Sequence, residues 1–317
     1  MKPQICVLTL QQDAIIKHCQ PFRFDKSIDG HLQSAIGLAL SSDGHVVVAD
    51  CSSHALQVFR CSNGAWARKI GGEGSNPGCF KKPRAVAFDG DDTIIVADTE
   101  NHRVQIMRFS DGSYLRTIGC EGRENGQFIR PCSVAVDGSG NVLVYDGSGR
   151  IQVFRVSDGQ YLRSMCGPGQ LRGFDGSLVF EKNDGGEGTI FVADGPNGRI
   201  QVLRYSDGAH LHTITSEFKK PCGIAFVDGT SKFIAVTDAE THKVHILTRR
   251  HEYEYKWTPG HILDNDLFKR LLDTQQERDF WRMNMEKPYG IVTDGKGRIF
   301  ISNFGGSCIL VFDHAPA

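Results

Sequence analysis

VADTENHRVQIMRFSDG, residues 96–112, holds two short apolar runs around a polar corner and ends on an Asp-Gly turn. Within six positions it carries Asp98, Glu100, His102 and Arg103. Side chains of those types gathered in one place are what a catalytic cluster or a metal site requires. The stretch therefore reads in two ways, as a reactive group or as one unit of a repeat, and the rest of the chain decides between them.

It is a repeat. The pattern recurs as VVVADCSSHALQVFR (46–60), IIVADTENHRVQIMR (94–108), VLVYDGSGRIQVFR (142–155), IFVADGPNGRIQVLR (190–204), IAVTDAETHKVHILT (234–248) and IFISNFGGSCILVF (299–312). Asp50, Asp98, Asp146 and Asp194 stand 48 residues apart, Asp238 follows after 44, and Asn303 takes the sixth place. Upstream of each copy lies a further apolar run, such as RAVAFD (84–89) or CSVAVD (132–137). Downstream of the first four copies comes a turn and then a fourth run of the type WARKI, YLRTI, YLRSM or HLHTI. β-Branched and aromatic residues alternating between Asp-Gly turns signal strands and hairpins. Four antiparallel strands per copy predict an all-β, six-bladed β-propeller in a single domain. The blades are expected at about 33–70, 83–118, 131–165, 176–214, 222–257 and 288–312. The sixth copy ends after its third strand, and VLTL (7–10) has the missing pattern. Residues 4–10 are therefore expected to complete the last blade and close the ring, which removes open sheet edges.

The pattern VAD…NHRVQIM, with Asn101-His102-Arg103 at its corner, resembles the NHL repeat across all of the chain apart from about residues 258–286. The resemblance implies a propeller that works by binding. NHL propellers serve as protein-interaction modules, often as the substrate-recruiting ends of ubiquitin ligases, or as readers of single-stranded RNA. One branch is a zinc-dependent lyase of the amidating type. A ligase role would need a larger parent protein or a separate partner, because neither a RING nor a B-box zinc pattern occurs in these residues. The lyase branch implies zinc-binding histidines converging on the channel, secretion and disulfides. The inner-strand runs here contain no histidine, so that reading is disfavoured.

Repetition also changes the meaning of the corner. Catalysis needs one constellation, whereas Asp50, Asp98, Asp146, Asp194 and Asp238 recur, and Arg103, Arg150 and Arg199 recur with them. They are expected to brace a hairpin, the carboxylate accepting corner amides and facing the nearby base. His54, His102 and His242 fall on equivalent corners of different blades, dispersed around the ring, and cannot share one metal. No catalytic residue, cofactor or metal site is expected.

The basic residues make the better functional case. Before the inner strand, four blades carry FKKPR (80–84), FIRP (128–131), FKKP (218–221) and MEKP (285–288). Lys81, Lys82, Arg84, Arg130, Lys219, Lys220 and Lys287 are expected to ring the channel mouth, with Arg123 and Arg172 in loops of the same class. Such a ring concentrates an acidic peptide or a phosphate backbone. Phe80, Phe128 and Phe218 recur beside it and are expected to plug the gaps between blades. Residues 258–286 break the period. Leu263, Leu267, Leu271 and Leu272 have helical spacing, and a capping box from Thr274 to Glu277 predicts a second short helix through Phe280 and Trp281. That insertion between blades 5 and 6 should emerge on the basic face, with Phe280 and Trp281 as candidate anchors.

A formal charge of −1 over 317 residues demands neither nucleic acid nor membrane. ICVLTL (5–10) is too short for a membrane span. The ten cysteines are scattered singly and predict reduced thiols in the cytoplasm. The expected function is a non-enzymatic scaffold binding a protein or peptide on the basic face, with single-stranded RNA as the alternative and neither DNA nor membrane as partner.

Overall fold

The computed structural model describes residues 22–28, 30–165, 171, 174, 176–182, 188–227, 233–251, 254–263, 285–294 and 298–314. Its strands form six four-stranded antiparallel sheets, each the blade of a propeller. Blade 2 is typical, with strands Pro83–Asp89, Thr93–Asp98, Arg103–Arg108 and Tyr114–Ile118. In its second strand only Thr93 at the entry is partly exposed, and every residue from Ile94 to Asp98 is buried. A strand covered on both faces by neighbouring blades must be apolar throughout, and this is why the run IIVA does not alternate.

Six apolar clusters hold the ring together, and they lie mainly between blades. Phe80 joins Val47, Val58 and Ile70 of blade 1 to Val86 and Ile94 of blade 2. Phe128 does the same between blades 2 and 3, and Phe218 between blades 4 and 5. The Phe80 ring rests on Gly71 so closely that a Cβ there would lie 2.4 Å from it. Gly71 also has φ +75°, so both space and backbone demand glycine. Each such ring, fully withdrawn from water, contributes roughly 1.5–3 kcal/mol.

Hydroxyl groups tie inner strands to the neighbouring blade across the blade boundaries. Ser133 Oγ accepts the Leu178 amide at 3.1 Å and Ser177 Oγ accepts that of Ile224 at 3.0 Å. Thr237 Oγ1 donates to the Tyr289 carbonyl at 2.6 Å, and Ser302 Oγ to the Ile36 carbonyl at 2.6 Å. These bonds fix the wall of the central channel.

The ring is closed by the N-terminal side of the chain, but by a different segment from the one expected. Phe22–Ile28 pairs antiparallel with Cys308–His314 and is the outermost strand of blade 6. Residues 4–10 lie outside the described residues. The apolar pattern of VLTL was misleading, whereas spacing points the right way. Twelve residues separate Ile70 from Pro83 and Ile118 from Pro131, and six separate Ile28 from Ala35. Ile28 is buried among Phe59, Phe300 and Ile309.

A second correction concerns blade 5. Its outer strand runs through Glu254–Leu263, with Leu263 opposite Val244, so the first leucine of the supposed helix is in a strand. The remainder of the proposed insertion, Phe280 and Trp281 included, lies outside the described residues. Among the described residues no helix is long and apolar enough to cross a membrane.

Candidate functional site: the channel mouth

The corner explains why its acidic residue repeats. Asp98 is fully buried and accepts the Lys81 amide at 2.7 Å, Asn101 Nδ2 at 2.9 Å, Arg103 Nε at 2.8 Å and Gln105 Nε2 at 3.0 Å. Asp50 accepts the amides of Gln33 and Ser34, and Asp146 those of Ile129 and Ser148 together with Arg150 Nε. Asp194 holds Asn197 and Arg199, and Asp238 the amides of Lys219 and Lys220. In blade 6 Asn303 keeps the acceptor role, taking the Glu286 amide at 2.7 Å. These side chains fasten the loop that enters the inner strand, and their acceptor capacity is spent on that task.

The corner histidines have a separate task. His54, His102 and His242 have φ of 53°, 52° and 58°, the left-handed conformation that Gly149, Gly198 and Ser307 adopt at the same place in the other blades. Each imidazole reaches the next blade. His54 Nδ1 accepts the Lys82 amide at 3.2 Å, His102 Nδ1 that of Arg130 at 3.2 Å, and His242 Nδ1 that of Lys287 at 3.0 Å. The proton of each neutral ring therefore sits on Nε2. Lys82, Arg130 and Lys287 also have left-handed φ, at 49°, 53° and 54°. Each precedes a proline, and the bond from the neighbouring blade holds this uncommon conformation in place.

With the backbone fixed in this way, the predicted basic residues divide into two groups. Arg84, Arg130 and Lys220 gather at the end of the channel around two aromatic rings. The Arg84 guanidinium lies 4.2 Å from the centre of the Phe174 ring and 5.9 Å from that of Tyr289. Arg130 lies 3.6 Å from Phe174, and Lys220 Nζ 6.0 Å from Tyr289. Lys81, Lys82, Lys219 and Lys287 are exposed outside this cluster. Arg123 is exposed on a loop whose carbonyls Arg150 holds, and its described contacts do not join it to the cluster. Arg172 lies outside the described residues. Charge is not of one sign, since Glu100 pairs with Arg130 at 2.6 Å.

Phe174 and Tyr289 escaped sequence reasoning. Tyr289 follows Pro288 where Arg84 follows Pro83, so the shared position was available as a signal. Phe174 belongs to blade 4, which lacks the proline, and nothing in its local pattern marks it. Cys51 stands in the field of Arg84 and Lys82; burial pushes its thiol up, and those two cations pull it the other way. Burial prevails, so the thiol is held above its ordinary range. Among the described residues no group of three His, Cys, Asp or Glu is placed to hold a metal ion.

The NHL-repeat family model matches residues 32–59 and 80–107, each spanning an entry loop, an inner strand, the corner and most of the third strand. Two NHL-repeat matches therefore fall on blades 1 and 2 of a six-bladed propeller. In the other four blades the same strand order and corner geometry recur. Among solved structures, a chain in the crystal structure of a nidogen/laminin complex is similar over 71% of this chain and 80% of its own, with 19% identity and a TM-score of 0.57. That likeness is one of fold. No curated protein matches the chain. The propeller presents its cations and rings at the channel mouth.

Proposed function

We propose that this NHL propeller is a non-catalytic interaction module of the cytoplasm, whose mouth face binds an acidic protein or peptide segment. The observation that carries the reading is Arg84 set against Phe174 and Tyr289, with Arg130 and Lys220 beside it. Arginine and aromatic side chains supply most of the binding energy in protein interfaces, and they do so where surrounding groups exclude water. The hydrogen bonds that loop amides donate to Asp98, Asp238, His54 and His102 hold the entry loops in advance, which lowers the ordering cost of binding.

Single-stranded RNA is the competing partner. The Glu100 carboxylate on Arg130 and the near-neutral charge of the chain favour a protein over a phosphate backbone. A peptide array and a random RNA pool, probed with the same protein at low salt, separate the two. Acidic peptides should be retained, and Arg84→Glu combined with Lys220→Glu should reduce retention at least ten-fold. Equal retention by the variant would place the interface elsewhere. RNA retained with a steep salt slope would favour the nucleic-acid reading.

A further inference from the structure

We propose that the central channel itself is a binding site for a small amphiphile, a carboxylate head at Arg84 with an unbranched aliphatic tail running down the propeller axis. This concerns the interior of the ring, and it shares Arg84 and its two aromatic rings with the face assigned to a partner.

The channel encloses about 440 Å³, within the usual range of small-ligand sites. Its wall follows the inner strands from Ile36 to Leu40 and their equivalents. At about 3.3 Å per residue those strands make the space roughly 15 Å long, enough for an extended aliphatic chain. Among the described lining residues Arg84 is the one with a charged side chain. The lining hydroxyls of Ser133, Ser177 and Thr293 are engaged with Leu178 N, Ile224 N and the Phe226 carbonyl. Below the mouth the side chains presented to the axis are chiefly Leu, Val, Ile, Ala and Phe.

The two ends differ in charge, which fixes the direction of the ligand. At the mouth stands Arg84 with Phe174 and Tyr289 against it. At the far end the inner strands run into Asp89, Asp137 and Asp294, the last paired with Arg298 at 2.7 Å. Asp89 and Asp137 are near enough for Asp137 to add to the rise that burial imposes on the Asp89 carboxyl. An anionic head is repelled there and attracted at Arg84, whose planar fork matches a carboxylate.

Calorimetric titration with octanoate, hexanoate and neutral octanol tests the assignment. Octanoate should bind saturably, with hexanoate more than ten-fold weaker, since each buried methylene is worth about four-fold. Octanol should bind at least ten-fold more weakly than octanoate. Arg84→Gln should remove that preference for the anion while leaving octanol unchanged. Ala87→Leu with Ala135→Leu, which narrow the channel, should abolish the dependence on chain length, provided that thermal melts show both variants folded. If the double variant does not fold, Arg84→Gln decides the matter at the rim. No binding of octanoate at millimolar concentration, no effect of chain length, or an Arg84→Gln variant indistinguishable from the parent would each overturn the proposal.

Discussion

Blades 2 and 5 bury the same aspartate with different company. In blade 2 Asp98 faces Arg103, whose side chain is 13% exposed, and Gln105, whose amide also reaches the Cys79 carbonyl and the Gly78 amide. In blade 5 Asp238 accepts four backbone amides, those of Lys219, Lys220, Glu240 and Thr241, and no ion pair joins it to Lys243 among the described contacts. His245 occupies the place of Gln105 and is buried with Nε2 unbonded. The corner thus needs a filled acceptor, and either a guanidinium or a cluster of amides fills it. Charge pairing is one solution among two.

The comparison can be broken most forcefully at Asp98. Asp98→Ala should cost about 3–5 kcal/mol, because it strands a largely buried guanidinium and an entry-loop amide. Urea unfolding reads this directly, and a loss under 1 kcal/mol would mean that the corner is not a brace. Next in size is a contrast between the two bases. Arg103→Gln should cost about 2 kcal/mol, whereas Lys243→Gln should stay within about 0.5 kcal/mol. Equal losses would show that Asp238 depends on its lysine after all.

The smallest effect sharpens the role of His245. Burial pushes its pKa below the ordinary value, Asp238 and Glu217 pull it upward, and Lys243 adds to the lowering. A lowered imidazole contributes its full share above the ordinary value of about 6.5, and that share is lost as pH falls through the folded value. His245→Gln should therefore flatten the fall in stability below about pH 6.5 and add on the order of 1 kcal/mol at neutral pH. Urea midpoints at pH 5 and 7.5 compare the two proteins. An unchanged fall between those values would count against this account.

Much of this was legible in the residues. The 48-residue spacing of Asp50, Asp98, Asp146 and Asp194 is a property of a scaffold, and it announced blades and braces together. Phe80, Phe128 and Phe218 announced the wedges between blades. The closing strand was less legible, because FRFDKSI and VLTL compete as strand patterns and pairing is decided at the far end of the chain. The mouth was half legible. Lysines and arginines before proline marked the loops, but which of them meet depends on aromatic rings from blades 4 and 6, a relation that no local pattern carries. Nor could spacing show that His102 serves Arg130, since the bond crosses a blade boundary 28 residues away.

The closing pair Phe22–Ile28 and Cys308–His314 also sets a timetable. Among the described residues the first strand waits for the last, across about 280 residues of synthesis. At about 5–20 residues per second on the ribosome, that wait is on the order of 15–60 s. Through that interval the nascent blades are an open arc with exposed edges at both ends. Arrival of that last strand, rather than the formation of any single blade, is the event that makes this molecule a ring.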